Sequence, residues 1–321
     1  MIIVRTPLRI SLGGGGTDLK SFYSLYGSTF VSVAINKYIY ITLHRSGFSK
    51  KIRCRYSIME EVEDVEDLKN EIMRETLKKY DVYDSIEVTS HAEIPSGTGL
   101  GSSGTFGVAL AHALKVSNGM TLVREELAEE ATEIQADILK HPIGKQDQYA
   151  AAFGGLNAYQ VSKEGKVNVY PLDMLPESKA LLESRLVMFF TGYSRDANNI
   201  LGEQEKKTKQ KDEIVIESLK EIQKYGFRIK DALEDGNLDM FGELMNLHWI
   251  EKKKRSNTMS NPEIDKWYKI GMENGALGGK LVGAGGGGFL LFYAHNVDRL
   301  VRAIDLKHVP FKFDYQGSTL L

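Results

Sequence analysis

The chain has 321 residues, of which 42% are hydrophobic and 26% charged, a composition typical of a globular protein. Its formal net charge of −2 argues against a general nucleic-acid binder, because no global basic field would attract phosphate backbones. No apolar run approaches the ~20 residues that span a bilayer, and the N-terminus lacks the pattern of a secretion signal. The single cysteine, Cys54, cannot form an internal disulfide, which fits a reducing, cytoplasmic location. We therefore expect neither nucleic-acid nor membrane partners.

Hydrophobic periodicity predicts strands and helices in irregular alternation along the chain. In the first part, strands are predicted over residues 2–12, over 30–43 as strands around Asn36-Lys37, over 85–92 and as a hairpin over 156–170, with helices over 68–80, 105–116 and 123–139. In the second part, strands are predicted over 185–191, on both sides of 283–288 and over 311–315, with helices over 198–235 (broken near Tyr225-Gly226), 238–254, 262–274 and 297–304. This order predicts an α+β protein with two domains, residues 1–180 and 181–321.

A glycine-rich stretch from Ile94 to Gly104 lies directly before the apolar helix that begins at Thr105. Glycines allow positive φ and close approach of a ligand to the backbone, and a helix N-terminus favours an anion. Ser102 and Ser103 stand where a helix cap belongs, and a serine hydroxyl there can also bind Mg²⁺. The stretch therefore predicts a loop that binds the phosphates of a nucleotide.

Two other interpretations of the glycines are weaker. The pattern Gly-x-x-x-x-Gly-Lys-Ser/Thr is absent, so this is not the common nucleotide-binding loop. Gly99–Gly104 and Gly283–Gly288 both match Gly-x-Gly-x-x-Gly, but neither follows the first strand of a βαβ unit as a dinucleotide-binding motif should. A kinase-type triphosphate loop explains more of the sequence.

Two further polar clusters are candidate parts of an active site. Pro7–Asp18 contains four consecutive glycines flanked by Arg9 and Asp18, a pattern that suits a pocket for a hydroxylated substrate. Gly144–Gln148 places Asp147 among hydrogen-bonding residues, and an Asp in such a loop can orient and deprotonate a hydroxyl. A surface arginine and a turn carboxylate are the ordinary alternatives for Arg9 and Asp147.

The polar and glycine-rich loops of this chain, in their order along the sequence, resemble those of the GHMP kinases. This is the family of galactokinase, homoserine kinase, mevalonate kinase and phosphomevalonate kinase. Pro95–Gly104 is similar to the family's phosphate-binding motif, Pro7–Asp18 to its N-terminal motif and Lys280–Phe289 to its C-terminal motif. Gly13–Asp18, Gly144–Gln148 and the segment His248 to Lys253 further resemble the heptose 7-phosphate kinases within this family, with fucokinases as near relatives.

The resemblance implies a two-domain fold: an N-terminal ATP-binding domain with a left-handed β-α-β element, and a ferredoxin-like C-terminal domain. It also implies ATP and Mg²⁺ as cofactors. By this resemblance, Asp147 would be the catalytic aspartate and Arg9 its basic partner, with Ser103, or its neighbour Ser102, on the metal. The implied ATP-binding residues are Pro95, Gly97, Gly99, Leu100, Gly101, Ser102, Ser103 and Gly104. The expected substrate-binding residues are Gly14, Gly15, Thr17, Asp18, Lys145, Gln146, Gly192, Arg195, Gly285 and Gly286.

One residue departs from the family pattern. Mevalonate-kinase-like members have a Mg²⁺-binding Glu on the helix before the catalytic loop, and Gln135 stands at the equivalent position here. An amide is a poorer ligand for a hard cation than a carboxylate. Either Glu133 or Asp137 substitutes, or Mg²⁺ is held mainly by ATP, serine and water.

The implied reaction is phosphorylation of the anomeric hydroxyl of a sugar phosphate, with D-glycero-D-manno-heptose 7-phosphate as the expected acceptor. A phosphorylated acceptor needs cationic ligands; the candidates are Lys145, Arg195 and the run Lys252–Arg255, although such a run is also typical of a solvated helix end. The alternatives are a fucokinase- or galactokinase-like enzyme acting on an unphosphorylated sugar, and a ligand-binding homologue without activity. The oligomeric state is left open, a homodimer included.

Overall fold

Two β-sheets, of eight and four strands, organise the residues that the computed structural model describes, which are 1–194, 197–256 and 258–321. Numbered in chain order, the strands are β1 (Ile2–Gly13), β2 (Ser28–Arg45), β3 (Ile52–Arg55), β4 (Met59–Val62), β5 (Ile86–Ala92), β6 (Leu156–Val161), β7 (Val167–Pro171), β8 (Leu186–Phe190), β9 (Ala276–Leu281), β10 (Phe289–Ala294), β11 (Lys307–His308) and β12 (Thr319–Leu320). The α-helices are α1 (Lys20–Tyr26), α2 (Glu71–Lys79), α3 (Ser102–Ser117), α4 (Arg124–Thr132), α5 (Gln146–Phe153), α6 (Pro176–Arg185), α7 (Ala197–Lys209), α8 (Glu213–Glu234), α9 (Leu238–Lys253), α10 (Pro262–Glu273) and α11 (Val297–Ala303). A 3-10 turn covers Val65–Asp67, and a π-helical segment, Glu133–Ile138, extends α4.

The large sheet is built around the long strand β2. Its first half pairs with β6 and its second half with β5, while β1 runs antiparallel along almost all of it. The only parallel pair among the described strands is β3 with β5. Helix α3 packs on β1 and β2, and its alanines, leucines and Val108 are fully buried in the main core. This packing holds the start of α3, and therefore the glycine-rich loop before it, at the end of the sheet.

The prediction of separate strands around Asn36-Lys37 was wrong, because β2 is continuous there. In β1, Pro7 pairs with Tyr38 and the next residue, Leu8, pairs with Ile35, so Asn36 and Lys37 form a bulge. The Asn36 side chain and backbone bind the backbone of Lys312 instead. A bulge adds residues to one strand without ending it, which a sequence pattern does not separate from a turn.

The small sheet has the strand order β11-β8-β10-β9 and is antiparallel throughout. Helices α9 and α10 pack on β9, and the glycine segment 283–288 joins β9 to β10 as predicted. The predicted last strand, residues 311–315, was wrong: Phe313 makes only an isolated bridge to Ile35, and the chain ends instead in β12, which pairs with β1 of the large sheet. The end of the chain thus returns to the large sheet, and the predicted domain boundary near residue 180 stays a prediction.

The predicted helix break at Gly226 was also wrong, because α8 runs through it. A Cβ on Gly226 would lie 2.7 Å from the carbonyl oxygen of Thr29 and 3.2 Å from the Cα of Gly14. Glycine is needed there because α8 crosses the first glycine loop at backbone distance. The actual break between α7 and α8 lies at residues 210–212.

Candidate active site

A cavity of about 830 Å³ lies where the glycine loops and α5 of the first part of the chain meet α9 and β9 of the second. This volume is within the ~300–1,000 Å³ usual for ligand sites. The cavity is lined by residues from all three predicted loops. Of the expected site residues, those that line it are Arg9, Gly15, Asp18, Pro95, Gly97, Gly99, Gly101, Ser102, Ser103, Gln146 and Asp147.

The loop before α3 has the geometry of an anion cradle. Gly97, Gly99 and Gly101 all have positive φ, between 72° and 86°, which residues with a side chain adopt only under strain. Helix α3 begins directly afterwards at Ser102 and spans 16 residues, so its free N–H groups and positive dipole end face the cavity. The arrangement suits the phosphates of a nucleotide.

The C-terminal glycine segment packs directly on this loop. A Cβ on Gly99 would lie 2.5 Å from the carbonyl oxygen of Val282, and a Cβ on Gly283 would lie 2.3 Å from the Cα of Gly99. Likewise, a Cβ on Gly288 would lie 2.0 Å from the carbonyl oxygen of Thr98. These glycines are thus required by backbone-to-backbone packing between the two halves of the chain.

The two serines at the start of α3 have different surroundings. Ser103 donates a hydrogen bond of 2.9 Å to Oε1 of Gln135, which lies in the π-helical segment 133–138. The Oγ of Ser102 is buried and has no hydrogen-bond partner among the described residues. An orphaned hydroxyl next to free helix N–H groups is expected where a ligand supplies the missing partner.

The donor set around Gln135 allows a weak metal site only. Glu133 pairs with Lys79, Asp137 pairs with Lys20, and neither acid lines the cavity. No group of three or more His, Cys, Asp or Glu in the described part of the chain could hold a metal ion. The structure therefore does not bring Glu133 or Asp137 to the cavity in place of Gln135. Because Ser103 gives its proton to Gln135, its oxygen lone pairs remain free for a cation.

Arg9 and Asp147 form an ion pair beside the phosphate loop. Arg9 Nε and Nη2 donate to Oδ1 of Asp147 at 2.8 and 2.5 Å, and Nη1 donates to the carbonyl oxygen of Gly99 at 2.7 Å. Asp147 lies in the first turn of α5, and Gly101 and Gly104 pack against its side chain. No hydrogen bond from the described residues reaches Oδ2, so this oxygen can accept a proton from a ligand in the cavity.

Asp18 holds the first glycine loop against the start of α5. Its Oδ1 accepts from the Gly16 N–H at 3.0 Å and its Oδ2 from the Gln146 N–H at 2.9 Å. A Cβ on Gly144 would lie 1.9 Å from Oδ2, so a glycine is required for the loops to meet. Burial raises the pKa of the Asp18 carboxyl, and the Gln146 hydrogen bond opposes that rise.

Lys145 is not brought to the cavity, contrary to the sequence-based expectation. Its ammonium group donates to both carboxylate oxygens of Glu129, at 2.6 and 2.7 Å, and to the carbonyl oxygen of Gly165 at 2.8 Å. Thr17 is likewise directed inwards: its hydroxyl is bonded to the carbonyl oxygen of Gly14 and to Ser28. Both residues hold neighbouring segments together.

Several other expected site residues also lie outside the cavity lining. Leu100 is fully buried in the main core, and Gly104 packs under Asp147. Gly14 touches the backbone of Thr29 and Phe30. A Cβ on Gly192 would meet none of the described residues beyond its chain neighbours within 4 Å. Gly285 packs on Met259, and the Gly286 N–H donates to the Met259 carbonyl oxygen. Arg195 lies outside the described residues.

A group of basic residues, of which sequence reasoning named only a part, lines the cavity from α9, the residues just after it and β9. His248, Lys252, Arg255 and Lys280 all line it and are 1–4% exposed. Lys252 and Arg255 were named as part of a basic run that was a candidate for the acceptor phosphate, although a solvated helix end also explains it. His248 was named only within a segment that resembles the family, and Lys280 only as part of a glycine motif. The 4- and 3-residue spacings of the first three, which place them on one helical face, were the available signal.

Comparison with known proteins agrees with this geometry. Residues 67–155 match the family described as GHMP kinases N terminal domain, and residues 229–309 match GHMP kinases C terminal. A D-glycero-alpha-D-manno-heptose 7-phosphate kinase of Campylobacter jejuni is 33% identical over 91% of this chain and 89% of its own length. An L-fucokinase/L-fucose-1-P guanylyltransferase of Bacteroides fragilis is 26% identical over 93% of this chain, which spans 35% of that longer protein.

Solved structures show the same fold. A D-glycero-D-manno-heptose 1-phosphate kinase from Bacteroides thetaiotaomicron superposes with a TM-score of 0.82 and 26% identity, covering 100% of this chain and 99% of that one. A putative sugar kinase from Campylobacter jejuni superposes with a TM-score of 0.78 and 29% identity, covering 100% and 98%. None of the described helices is long and apolar enough to cross a membrane. The matches confirm the predicted two-domain α+β fold, and the chain is an enzyme of the GHMP kinase family.

Proposed function

We propose that this enzyme uses ATP to phosphorylate the anomeric hydroxyl of a sugar that already carries a phosphate, with D-glycero-D-manno-heptose 7-phosphate as acceptor and the 1,7-bisphosphate as product. The observation that carries the proposal is the Arg9–Asp147 pair, which lies inside the cavity and directly beside the phosphate loop. The choice of sugar follows the Campylobacter jejuni relative, which matches over nearly the whole of both chains.

In the proposed reaction, Asp147 accepts the proton of the anomeric hydroxyl on Oδ2. The hydroxyl oxygen then forms a bond to the γ-phosphorus, and the bond between that phosphorus and the bridging oxygen of ADP breaks. An anomeric hydroxyl is more acidic than an ordinary alcohol, so a carboxylate is an adequate base. Because Nε and Nη2 of Arg9 both donate hydrogen bonds to Oδ1, the orientation of the carboxylate is fixed before the acceptor arrives.

Arg9 has a second task in this proposal. Its guanidinium bonds to both Asp147 and the carbonyl of Gly99, so it lies between the base and the phosphate loop. A fixed cation there stabilises the charge that develops on the transferred phosphoryl group, whose loose transition state depends mainly on positioning and charge neutralisation. The helix N–H groups at Ser102 and the Ser102 hydroxyl would bind the nucleotide phosphates.

Mg²⁺, which is usual in this family, would have Ser103 as its ligand from the chain. When bound, it neutralises phosphate charge. Gln135 orients the serine through its amide oxygen. This assignment leaves most of the coordination to phosphate oxygens and water, in agreement with the absence of an acidic cluster within the described ranges.

The acceptor is testable by a substrate panel. ADP release would be measured with heptose 7-phosphate, unphosphorylated heptose, fucose, galactose and mevalonate, and the product position read by phosphorus NMR. We expect kcat/KM to be highest for heptose 7-phosphate by at least about 100-fold, because a site built for a polar group strongly rejects analogues that lack it. Preference for fucose or galactose would instead support the alternative, a kinase of unphosphorylated sugars.

A further inference from the structure

The basic residues that line the cavity from α9, the residues just after it and β9 form one group, which we name the cation cluster: His248, Lys252, Arg255 and Lys280. The first two lie one helical turn apart on α9, and Arg255 follows just after the helix ends. Lys280 lies on β9, the strand on which α9 packs. Helix and strand together therefore present all four side chains to the same cavity.

The cluster is buried, and no carboxylate of the described residues forms a hydrogen bond or ion pair with it, although the charge of Asp18 acts on Arg255 from a greater distance. Lys280 is 2% exposed, and no hydrogen bond or ion pair from the described residues reaches its ammonium group. Among the described residues, the Arg255 guanidinium makes a single hydrogen bond, from Nη1 to Oε1 of Gln204 at 2.8 Å, and its Nε has no partner. Both ring nitrogens of His248 are buried and unbonded within the described ranges. Buried charges are almost always paired. The cluster therefore needs an anionic partner that the described residues do not supply.

Titration behaviour agrees with this geometry. Burial, with the neighbouring Arg9 and Arg255, lowers the pKa of Lys280 to about 7, and burial also lowers the pKa of Arg255 to about 10. Burial and the adjacent cations lower the pKa of His248 and of Lys252 well below their usual values. The neighbouring cations thus oppose the charged forms of His248, Lys252 and Lys280. At Arg255 only burial lowers the pKa, and the nearby Asp18 carboxylate opposes that effect.

The cluster faces the acceptor side of the cavity. A Cβ on Gly16 would lie 2.5 Å from Nη1 of Arg255, and Gln204, which Arg255 holds, donates to the carbonyl oxygen of Gly16 at 3.0 Å. Gly16 belongs to the first glycine loop, next to Asp18. The nucleotide phosphates have separate donors at the start of α3 and at Arg9, so they do not account for the cluster.

We propose that the cation cluster binds the phosphate group that the acceptor sugar already carries, at the end remote from the reacting hydroxyl. This rests on the proposed function, in which the acceptor is a sugar phosphate. A phosphate monoester carries a charge of about −1.5 to −2 and three strong acceptor oxygens, which matches a group of converging donors. The cluster would thereby decide whether the enzyme takes a phosphorylated or a free sugar.

The four residues have different tasks in this proposal. Arg255 and Lys280 contact the phosphate directly, Arg255 through its free N–H groups and Lys280 through its unbonded ammonium. His248 supplies one N–H donor from a neutral ring. Lys252 is a positioning residue, because its ammonium group is already held by the carbonyl oxygens of Leu281 and Gly283, at 3.0 and 2.5 Å. It ties the C-terminal end of α9 to the strand that carries Lys280.

The experiment compares two acceptors that differ only in the phosphate, heptose 7-phosphate and unphosphorylated heptose, in full-length wild type and in Lys280→Met and Arg255→Lys. We expect Lys280→Met to reduce the ratio of kcat/KM for the two acceptors by about 10- to 100-fold, the effect of one charge-assisted hydrogen bond. Arg255→Lys keeps the charge and should lose a smaller part of the ratio. The KM for ATP should stay within about twofold of wild type in both variants.

Lys254→Met is the matched control. Lys254 belongs to the same basic run, but it is exposed and pairs with Glu251 on the surface. Thermal unfolding of the free protein supplies a second readout. Replacing an unpaired buried cation by an apolar side chain of similar length should raise the melting temperature of Lys280→Met, whereas a structural lysine would lower it on removal.

The outcomes separate the two proposals. If wild type shows no preference for the phosphorylated sugar, the proposed function is overturned. If wild type has that preference but the Lys280 and Arg255 variants lose activity equally on both acceptors, or raise the KM for ATP, the cluster serves another group and this inference is overturned. A collapsed acceptor ratio with an unchanged KM for ATP and a raised melting temperature supports it.

Discussion

The two charged walls of the cavity are built on opposite principles. Arg9 is 5% exposed and Lys280 is 2% exposed, so both cations are taken out of water. Arg9 has its counter-charge within the chain, at 2.5 Å on Asp147, whereas Lys280 has none in the described part of the chain. In the proposed mechanism, the end that reacts is therefore complete before substrate arrives, whereas the cation cluster is completed only by a ligand. The free-energy cost of orienting the charged groups falls on folding at one end and on ligand binding at the other.

The largest effect should come from breaking the complete wall with Asp147→Asn. We expect kcat to fall by about 10²- to 10⁴-fold, because the amide cannot take the proton of the hydroxyl. Its oxygen can still accept from Arg9, so the position of Arg9 beside the phosphate loop is kept. Steady-state kinetics would give kcat, and calorimetric titration with ADP should show affinity within about twofold of wild type. Turnover within tenfold of wild type would remove Asp147 from the mechanism.

The second prediction concerns Lys145, which is paired within the chain, in contrast to the unpaired Lys280. Lys145→Met removes the cationic partner of Glu129, whose side chain is 40% exposed and also accepts from the Tyr149 hydroxyl, and should cost about 1–3 kcal/mol of the free energy of unfolding. The KM for the acceptor should stay within about twofold, since Lys145 does not reach the cavity. Urea unfolding and steady-state kinetics measure the two quantities. The opposite pattern, an unchanged stability with a KM raised tenfold, would restore Lys145 as a substrate ligand.

The smallest effect is the pH dependence of stability. The pKa of Lys280 is about 7 in the folded chain and about 10.5 when unfolded, so between these values the unfolded chain binds more protons and stability rises with pH. The melting temperature of the free protein should therefore increase from pH 7 to pH 9, and less so in Lys280→Met. The charged and titratable groups that line the same cavity include Arg9, His248, Lys252, Arg255, Asp18 and Asp147, and of these Arg9 and Arg255 lower the pKa of Lys280.

The acceptor phosphate provides the control for this pH series. A bound anion favours the protonated ammonium, so heptose 7-phosphate should reduce the rise in melting temperature with pH in wild type. Unphosphorylated heptose should leave that slope unchanged. Identical slopes in wild type and Lys280→Met, with and without ligand, would show that Lys280 is not the depressed group.

Much of the site followed from local sequence. The phosphate loop and the presence of a helix after it were predictable because glycine spacing and helix-start signals act over a few residues. The helix itself begins at Ser102, after Gly101, and not at the predicted Thr105. Asp147 was a candidate base from its polar loop and from the family resemblance. The fold class followed from the order of strands and helices together with the resemblance of three motifs. Gly226 shows what local sequence does not reveal. A glycine can break a helix, but it can also let a helix pack against another backbone. Only the folded position of Thr29 shows that the second reason applies to Gly226.

The sequence by itself thus determined the family, the glycine-rich loop before α3 and the candidates for the reacting residues. Tertiary structure alone decided where each cation points: Lys145 was expected at the substrate and turns to Glu129, while Lys280, hidden in a glycine motif, faces the cavity. The reason is physical. Local geometry depends on neighbours along the chain, whereas the burial and pairing of a charge depend on groups up to hundreds of residues away, which only the folded chain brings together.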